Sequence, residues 1–247
     1  MTKNELFEKK FLCLILSGKY EEADNLLISK VPDHLYKYFK LGADHDQRMI
    51  NELINGNIYF NKACRFEDKA ELRSVEYENG NKSDKEIARQ SQECASKNNL
   101  ITCFCGDSAD HAYMWEKYAN NARGFRIKFK VKNKSYFFKA LYTQEKFEIK
   151  RLEDPLNPDE KTIQHNYYMS ETVNLIKKGV EFSAEDEYRV IYDRNAFPLI
   201  FHSENHGEYL DVRNLLTIDS IEIGENCTKN DLENLLPLTE HIKNLNK

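Results

Sequence analysis

Residues 103–129 read CFCGDSADHAYMWEKYANNARGFRIKF, and this stretch decides the fold. Cys103-Phe104 closes a β-branched and aromatic run from Leu100, which predicts a strand over Leu100–Phe104. Gly106–Asp110 is rich in turn formers, and a helix is expected over His111–Asn121 with Gly124 as its stop. Phe125, Ile127 and Phe129 then alternate with Arg126 and Lys128, the period of a half-buried strand over Phe125–Val131. Strand, helix and strand in close succession predict an α+β protein. Its core is expected to be a mixed, mostly antiparallel sheet with flanking helices.

The flanking sequence extends this pattern. Leu6, Phe7, Phe11, Leu14 and Ile15 recur at helical spacing, Gly18 interrupts, and Tyr20, Ala23, Leu26 and Leu27 resume. A helical hairpin is therefore expected over residues 1–31, as an appendage to a single α+β domain at 32–247. Its GKYEEADNLL resembles half of a tetratricopeptide-type repeat, but one pair cannot stack into a solenoid. The hairpin is a candidate contact for a protein partner. Strands are expected at His34–Phe39 and Asn57–Asn61, around a helix from Asp46 to Asn55. Residues 73–99 are polar and read as a surface excursion, helical from Ser83 and positioned to act as a lid. Further strands are expected at 136–142, 147–152, 187–192, 197–202 and 216–223, with helices over 159–178 and from Asp231.

Composition excludes several classes. The chain has 247 residues and a net charge of -5, and no run of five like charges, so it carries no strong nucleic-acid footprint. The apolar run Phe11–Leu16 is too short to span a membrane, and Glu5, Glu8, Lys9 and Lys10 before it do not resemble a signal peptide. Six scattered cysteines without a CxxC pair read as reduced thiols, so a cytoplasmic protein is expected. Cys103, Cys105 and His111 do not have a zinc-ligand spacing.

The densest polar chemistry is Glu185-Asp186-Glu187-Tyr188-Arg189. On an extended strand Glu185, Glu187 and Arg189 share a face, where two carboxylates and a guanidinium control one another's ionisation. Asp68 and Glu71, spaced for one helical face, join the two glutamates as a possible oxygen-ligand set for Mg²⁺, the signature of a metal-dependent nuclease or phosphodiesterase. Trp115 and Tyr118 lie on one helical face, which suits either a core stripe or a pocket wall that stacks a ring.

Several ordered motifs resemble one family. Leu35-Tyr36-Lys37-Tyr38, Phe66 to Glu71, Cys103-Phe104, Met114 to Ala119 with Gly124-Phe125, Glu185 to Arg189 and Ile221 to Gly224 are similar to the bacterial family named domain of unknown function 2971. The resemblance spans roughly residues 34–240. It implies an effector-like protein of phage defence, and no reaction comes with the family name. The order of elements also resembles the ADP-ribosyltransferases, which implies NAD as cofactor. By that resemblance Glu187 stabilises an oxocarbenium-like ribose and Glu185, beside Arg189, orients an acceptor. Lys37 and Tyr38 seat the cofactor, and Tyr59, Trp115 and Tyr118 supply stacking walls. The acceptor, protein or nucleic acid, is left open. A non-enzymatic binding module is the third possibility.

Overall fold

The structure, a computed structural model, describes residues 3–43, 46–66, 75–77, 80–144, 147–150, 159–193 and 207–245. Periodicity places the first elements where expected: α1 (Lys3–Leu16), α2 (Tyr20–Ile28), β1 (His34–Lys40), α3 (Asp46–Ile54) and β2 (Asn57–Lys62). The polar excursion holds β3 (Val75–Tyr77) and α4 (Lys82–Asn98). Asn81 caps α4 by accepting from the Ser83 and Asp84 amides, while the Asp84 side chain bonds back to the Asn81 amide. Next come β4 (Asn99–Cys105), α5 (His111–Tyr118), β5 (Gly124–Val131), β6 (Phe137–Lys139), β7 (Leu141–Tyr142) and β8 (Phe147–Ile149). After α6 (Glu160–Tyr168), a π-turn over Met169–Val173 leads into α7 (Asn174–Ile176), β9 (Lys177–Lys178) and β10 (Glu187–Asp193). The chain closes with β11 (Glu208–Asp211), β12 (Leu216–Ile223) and α8 (Lys229–Leu245). The fold is α+β, as the sequence predicts.

Among the described residues eight strands form the main sheet, and every pairing in it is antiparallel. Two small parallel pairs, β3 with β8 and β7 with β9, lie apart from it. One face of the main sheet packs on α3 and α8 through Leu35, Phe39, Ile50, Leu53, Phe104, Phe125, Phe129, Leu235 and Leu238. Phe39 stacks on Phe125 at 4.9 Å, and Phe104 meets Phe129 edge-on at 5.8 Å. The helical hairpin buries Phe7, Phe11, Ile15, Ala23 and Leu27 in a second core with Leu141, Tyr168, Met169 and Val173. Truncating Phe11, which is fully enclosed, would cost about 3–5 kcal/mol.

Local differences from expectation have physical causes. The helix expected over 111–121 ends at Tyr118, because Asn120, Asn121 and Ala122 take positive φ values of 52, 54 and 60°. Asparagine tolerates that region, and the turn is held by the Ala122 amide donating to the Trp115 carbonyl, 3.1 Å. Gly124 therefore opens β5 and does not stop the helix. The helix expected over 159–178 is broken by the π-turn and yields to extended backbone at Lys177. The strand expected over 136–142 divides into β6 and β7. The strand expected at 197–202 lies outside the described residues.

Candidate functional site

The site arises where the main sheet splits. One edge of β4 is paired along its whole length with β10, from Glu187 opposite Cys105 to Asp193 opposite Asn99. The other edge is shared. β1 touches it only through Tyr36 opposite Cys105, and β2 only through Asn61 opposite Ile101 and Lys62 opposite Leu100. Thr102, Cys103 and Phe104 are left without a strand partner on that side. β1 and β2 diverge there, α3 bridges their separated ends, and the gap is a cleft of 1640 Å³.

Seven lysines and arginines line this cleft against four glutamates. An excess of three cations in a chain of net charge -5 marks the cleft as a place for an anion. Aromatic rings from Tyr36, Tyr38, Tyr59, Phe66, Tyr118, Phe182 and Tyr209 alternate with the charges. The hydroxyl of Thr102, on the unpaired stretch of β4, is buried with no hydrogen-bond partner among the described residues. A buried hydroxyl left unpaired is costly, and a polar ligand group would satisfy it.

At one end lies a buried ionic network. Lys178 donates from one ammonium to Glu185 Oε2 at 2.6 Å and to Glu187 Oε2 at 2.5 Å. Arg189 Nε donates to Glu187 Oε1 at 2.5 Å, and its Nη1 to the Leu175 carbonyl at 2.7 Å. Tyr118 Oη and Lys117 Nζ donate to Glu185 Oε1 at 2.7 and 3.0 Å. The Glu187 amide donates to the Tyr142 hydroxyl oxygen, 2.7 Å. Arg189 is 0% exposed and Glu187 3%, so each charge depends on the others for its solvation. Burial alone would raise the Glu187 pKa. The Arg189 and Lys178 charges and hydrogen bonds outweigh it and hold the carboxyl well below its ordinary value. Burial, with Glu185 beside it, pushes the Tyr118 phenol far up, so that phenol remains a donor.

Glu185 reaches this network by a route the sequence does not show. It ends a 3-10 turn over Val180–Glu185, and Asp186 takes a left-handed conformation at φ 43° before β10 begins. Glu185 and Glu187 thus meet at Lys178 across a turn and do not share a face of one strand. The turn is pinned by the Gly106 amide donating to the Asp186 carbonyl at 2.9 Å and by an ion pair between Lys139 and Asp186. A Cβ at position 106 would meet the Asp186 carboxylate at 2.2 Å, so a larger residue there would displace that side chain.

Lys37 stands at the split itself. Its Nζ donates to the Cys103 carbonyl at 2.8 Å, replacing the strand partner that β4 lacks there. The side chain remains partly open to the cleft, while the ammonium lies over the Phe104 ring at 5.2 Å. Desolvation lowers the Lys37 pKa. Cys103 provides its only hydrogen-bond acceptor among the described residues, so two N–H groups remain for a ligand. Burial raises the neighbouring Cys103 thiol pKa strongly and that of Cys105 to about 12, so both are inert thiols.

Tyr38 lines the cleft and belongs to a second cluster. Its hydroxyl and the His111 Nδ1 are 2.8 Å apart, and Arg126 Nη1 donates to the Tyr38 oxygen at 3.1 Å. Trp115 meets Tyr38 edge-on at 5.1 Å and lies outside the cleft lining. It backs Tyr38 from behind, whereas the expected stacking role would place it in the lining. Burial raises the Tyr38 pKa to about 12.

The cleft therefore gathers Lys37, Tyr38, Tyr59, Tyr118, Glu185, Glu187 and Arg189. Asp68 and Glu71 lie outside the described residues. Among the described residues no group of three or more His, Cys, Asp or Glu side chains could hold a metal ion. No described helix is long and apolar enough to cross a membrane. Sequence reading missed Lys178, Lys117, Tyr142, Arg48 and Tyr209. No family model matches the chain, and neither the curated proteins nor the solved structures provide a significant match.

Proposed function

We propose that the protein is an NAD-dependent, ADP-ribosyltransferase-like enzyme acting in this cleft. The observation that carries the reading is the split at β4, which brings cations, aromatic rings and a pair of carboxylates into one cavity. NAD combines two phosphates with two ring systems, and that mixture fits such a lining. In the proposed reaction the bond between ribose C1′ and the nicotinamide nitrogen breaks. Its electron pair leaves with the nicotinamide, and the ribose carries an oxocarbenium-like charge. The acceptor's nucleophile bonds to C1′ and its proton passes to a glutamate and then to water.

In this reading Glu187, kept ionised by Arg189, stabilises the developing positive charge, and Glu185 orients the acceptor. Both carboxylates hold Lys178. The phosphates of NAD compete for that ammonium, and its withdrawal releases Glu187 Oε2 to face the ribose. Lys37 directs its remaining donors to the same ligand, with Tyr118 beside the nicotinamide. A role as a bacterial effector in phage defence belongs to the same proposal and rests on the motif resemblance.

A magnesium-dependent nuclease gains less support, since the two glutamates converge on a lysine where an oxygen-ligated cation needs an open cage. The reading is tested by incubating the protein with labelled NAD and cell lysate, beside Glu187→Gln. Label transferred by the wild type and lost in the variant supports it. Equal labelling by both, or none by either, removes it.

A further inference from the structure

The end of the cleft far from the ionic network has a chemistry of its own. Tyr59 on β2 and Tyr209 on β11 are directly opposite in register, with ring centroids 5.2 Å apart and nearly edge-to-face. Arg48, on the exposed side of α3, places its guanidinium over the Tyr209 ring at 5.3 Å. All three line the cleft, and Tyr59 is 39% exposed, an unusual degree for a tyrosine in mid-strand. The Tyr59 ring is fixed, since the Gly207 amide donates to its hydroxyl oxygen at 2.9 Å. A Cβ on Gly207 would lie 2.7 Å from the Tyr59 ring and collide with the Phe60 carbonyl, so only glycine permits this approach. Beside the pair, Asn57 Nδ2 donates to Glu52 Oε2 at 2.8 Å, and both residues face the cleft.

We infer that Tyr59, Tyr209 and Arg48 form a base-stacking subsite that takes the adenine ring of the dinucleotide, while the Glu187 end takes its nicotinamide riboside. This rests on the NAD reading of the cleft and specifies one part of it, giving Tyr59, a stacking wall in that reading, to the purine. A fixed, exposed ring with a guanidinium alongside is the arrangement that stacks a base. The neighbouring Glu52 carboxylate suits the exocyclic amine of adenine, and the amide of Asn57 suits its ring nitrogen. Lys37, bonded to the unpaired stretch of β4, and Lys178, in the ionic network, line the same cleft and suit the diphosphate.

Calorimetric titration of the full chain with AMP, ADP-ribose and nicotinamide mononucleotide tests the assignment. Tyr59→Leu and Arg48→Gln should each weaken AMP and ADP-ribose by roughly tenfold or more and leave nicotinamide mononucleotide unchanged. Tyr59→Phe, which keeps the ring, should retain most of the affinity. If the wild type binds ADP-ribose and neither Tyr59→Leu nor Arg48→Gln weakens it, the subsite is wrong and the dinucleotide reading stands. If the wild type binds none of the three probes, both fall. Should Tyr59→Leu fail to fold, Arg48→Gln decides the question alone, because that side chain is exposed on α3.

Discussion

Glu187→Gln isolates the energetics of the buried network. In the native protein two cations converge on this carboxylate, Arg189 at Oε1 and Lys178 at Oε2. Glutamine can still accept from Arg189, but it removes the charge and turns an amide donor toward Lys178. Arg189 then loses its carboxylate counter-charge, in a position with no solvent exposure. Breaking a buried pair from one side costs about 3–5 kcal/mol. For a chain of this size each kcal/mol lowers Tm by about 2–4 °C, so a fall of roughly 6–20 °C is expected at pH 7. The Glu187 pKa is depressed below 4.5 on folding, so its contribution is complete above that value and declines as pH falls further. The difference between wild type and variant should therefore narrow on acidification from pH 5 to pH 3. Replacing both partners, as in Glu187→Leu with Arg189→Met, should recover much of the loss because no charge is stranded. Thermal denaturation followed by circular dichroism measures all three proteins. A single variant within 2 °C of wild type at pH 7 would refute the reasoning, as would a double variant worse than Glu187→Gln.

Two further outcomes are expected. His165 accepts or donates between the Tyr20 hydroxyl and the Glu148 carbonyl, each at 3.2 Å, and burial lowers its pKa below 6.5. Its packing therefore stabilises the hairpin fully above that value and less as pH falls below it; amide exchange of residues 20–28 should quicken between pH 7 and pH 5, and unchanged protection would contradict this. Cys13, Cys64 and Cys94 are exposed, whereas Cys103 and Cys105 have raised pKa values, so a thiol reagent should modify the first three rapidly and the last two only in denaturant. Peptide mapping after a short alkylation reads this out, and early labelling of Cys103 would count against an inert, desolvated thiol.

Much of the fold was legible where side chains alternate or recur. Phe125, Ile127 and Phe129 identify β5, Ile50 and Leu53 identify the buried face of α3, and the aromatic run from His34 identifies β1. That Glu185, Glu187, Lys37 and Tyr59 line one cleft could be anticipated from the order of strands. Their counter-charge could not. Lys178 sits on a two-residue strand after a π-turn, where no periodicity operates, and it reaches both glutamates only through the tertiary fold. Tyr209 lies on a four-residue strand, too short to show alternation. Trp115 drew attention as the lone tryptophan, yet its ring supports Tyr38 from outside the cleft lining. The split at β4 was invisible for a related reason: pairing partners are set by register between distant segments, and β1 and β2 each contribute only one or two residues to it.

The central claim is that the cleft opened by this split takes NAD. Titration calorimetry of NAD into the 247-residue chain tests it most directly, with Lys37→Gln alongside. The account predicts saturable binding of one NAD per chain, weakened by added salt and by Lys37→Gln, and displaced by ADP-ribose. No binding at millimolar NAD, or binding indifferent to both salt and Lys37, would contradict it.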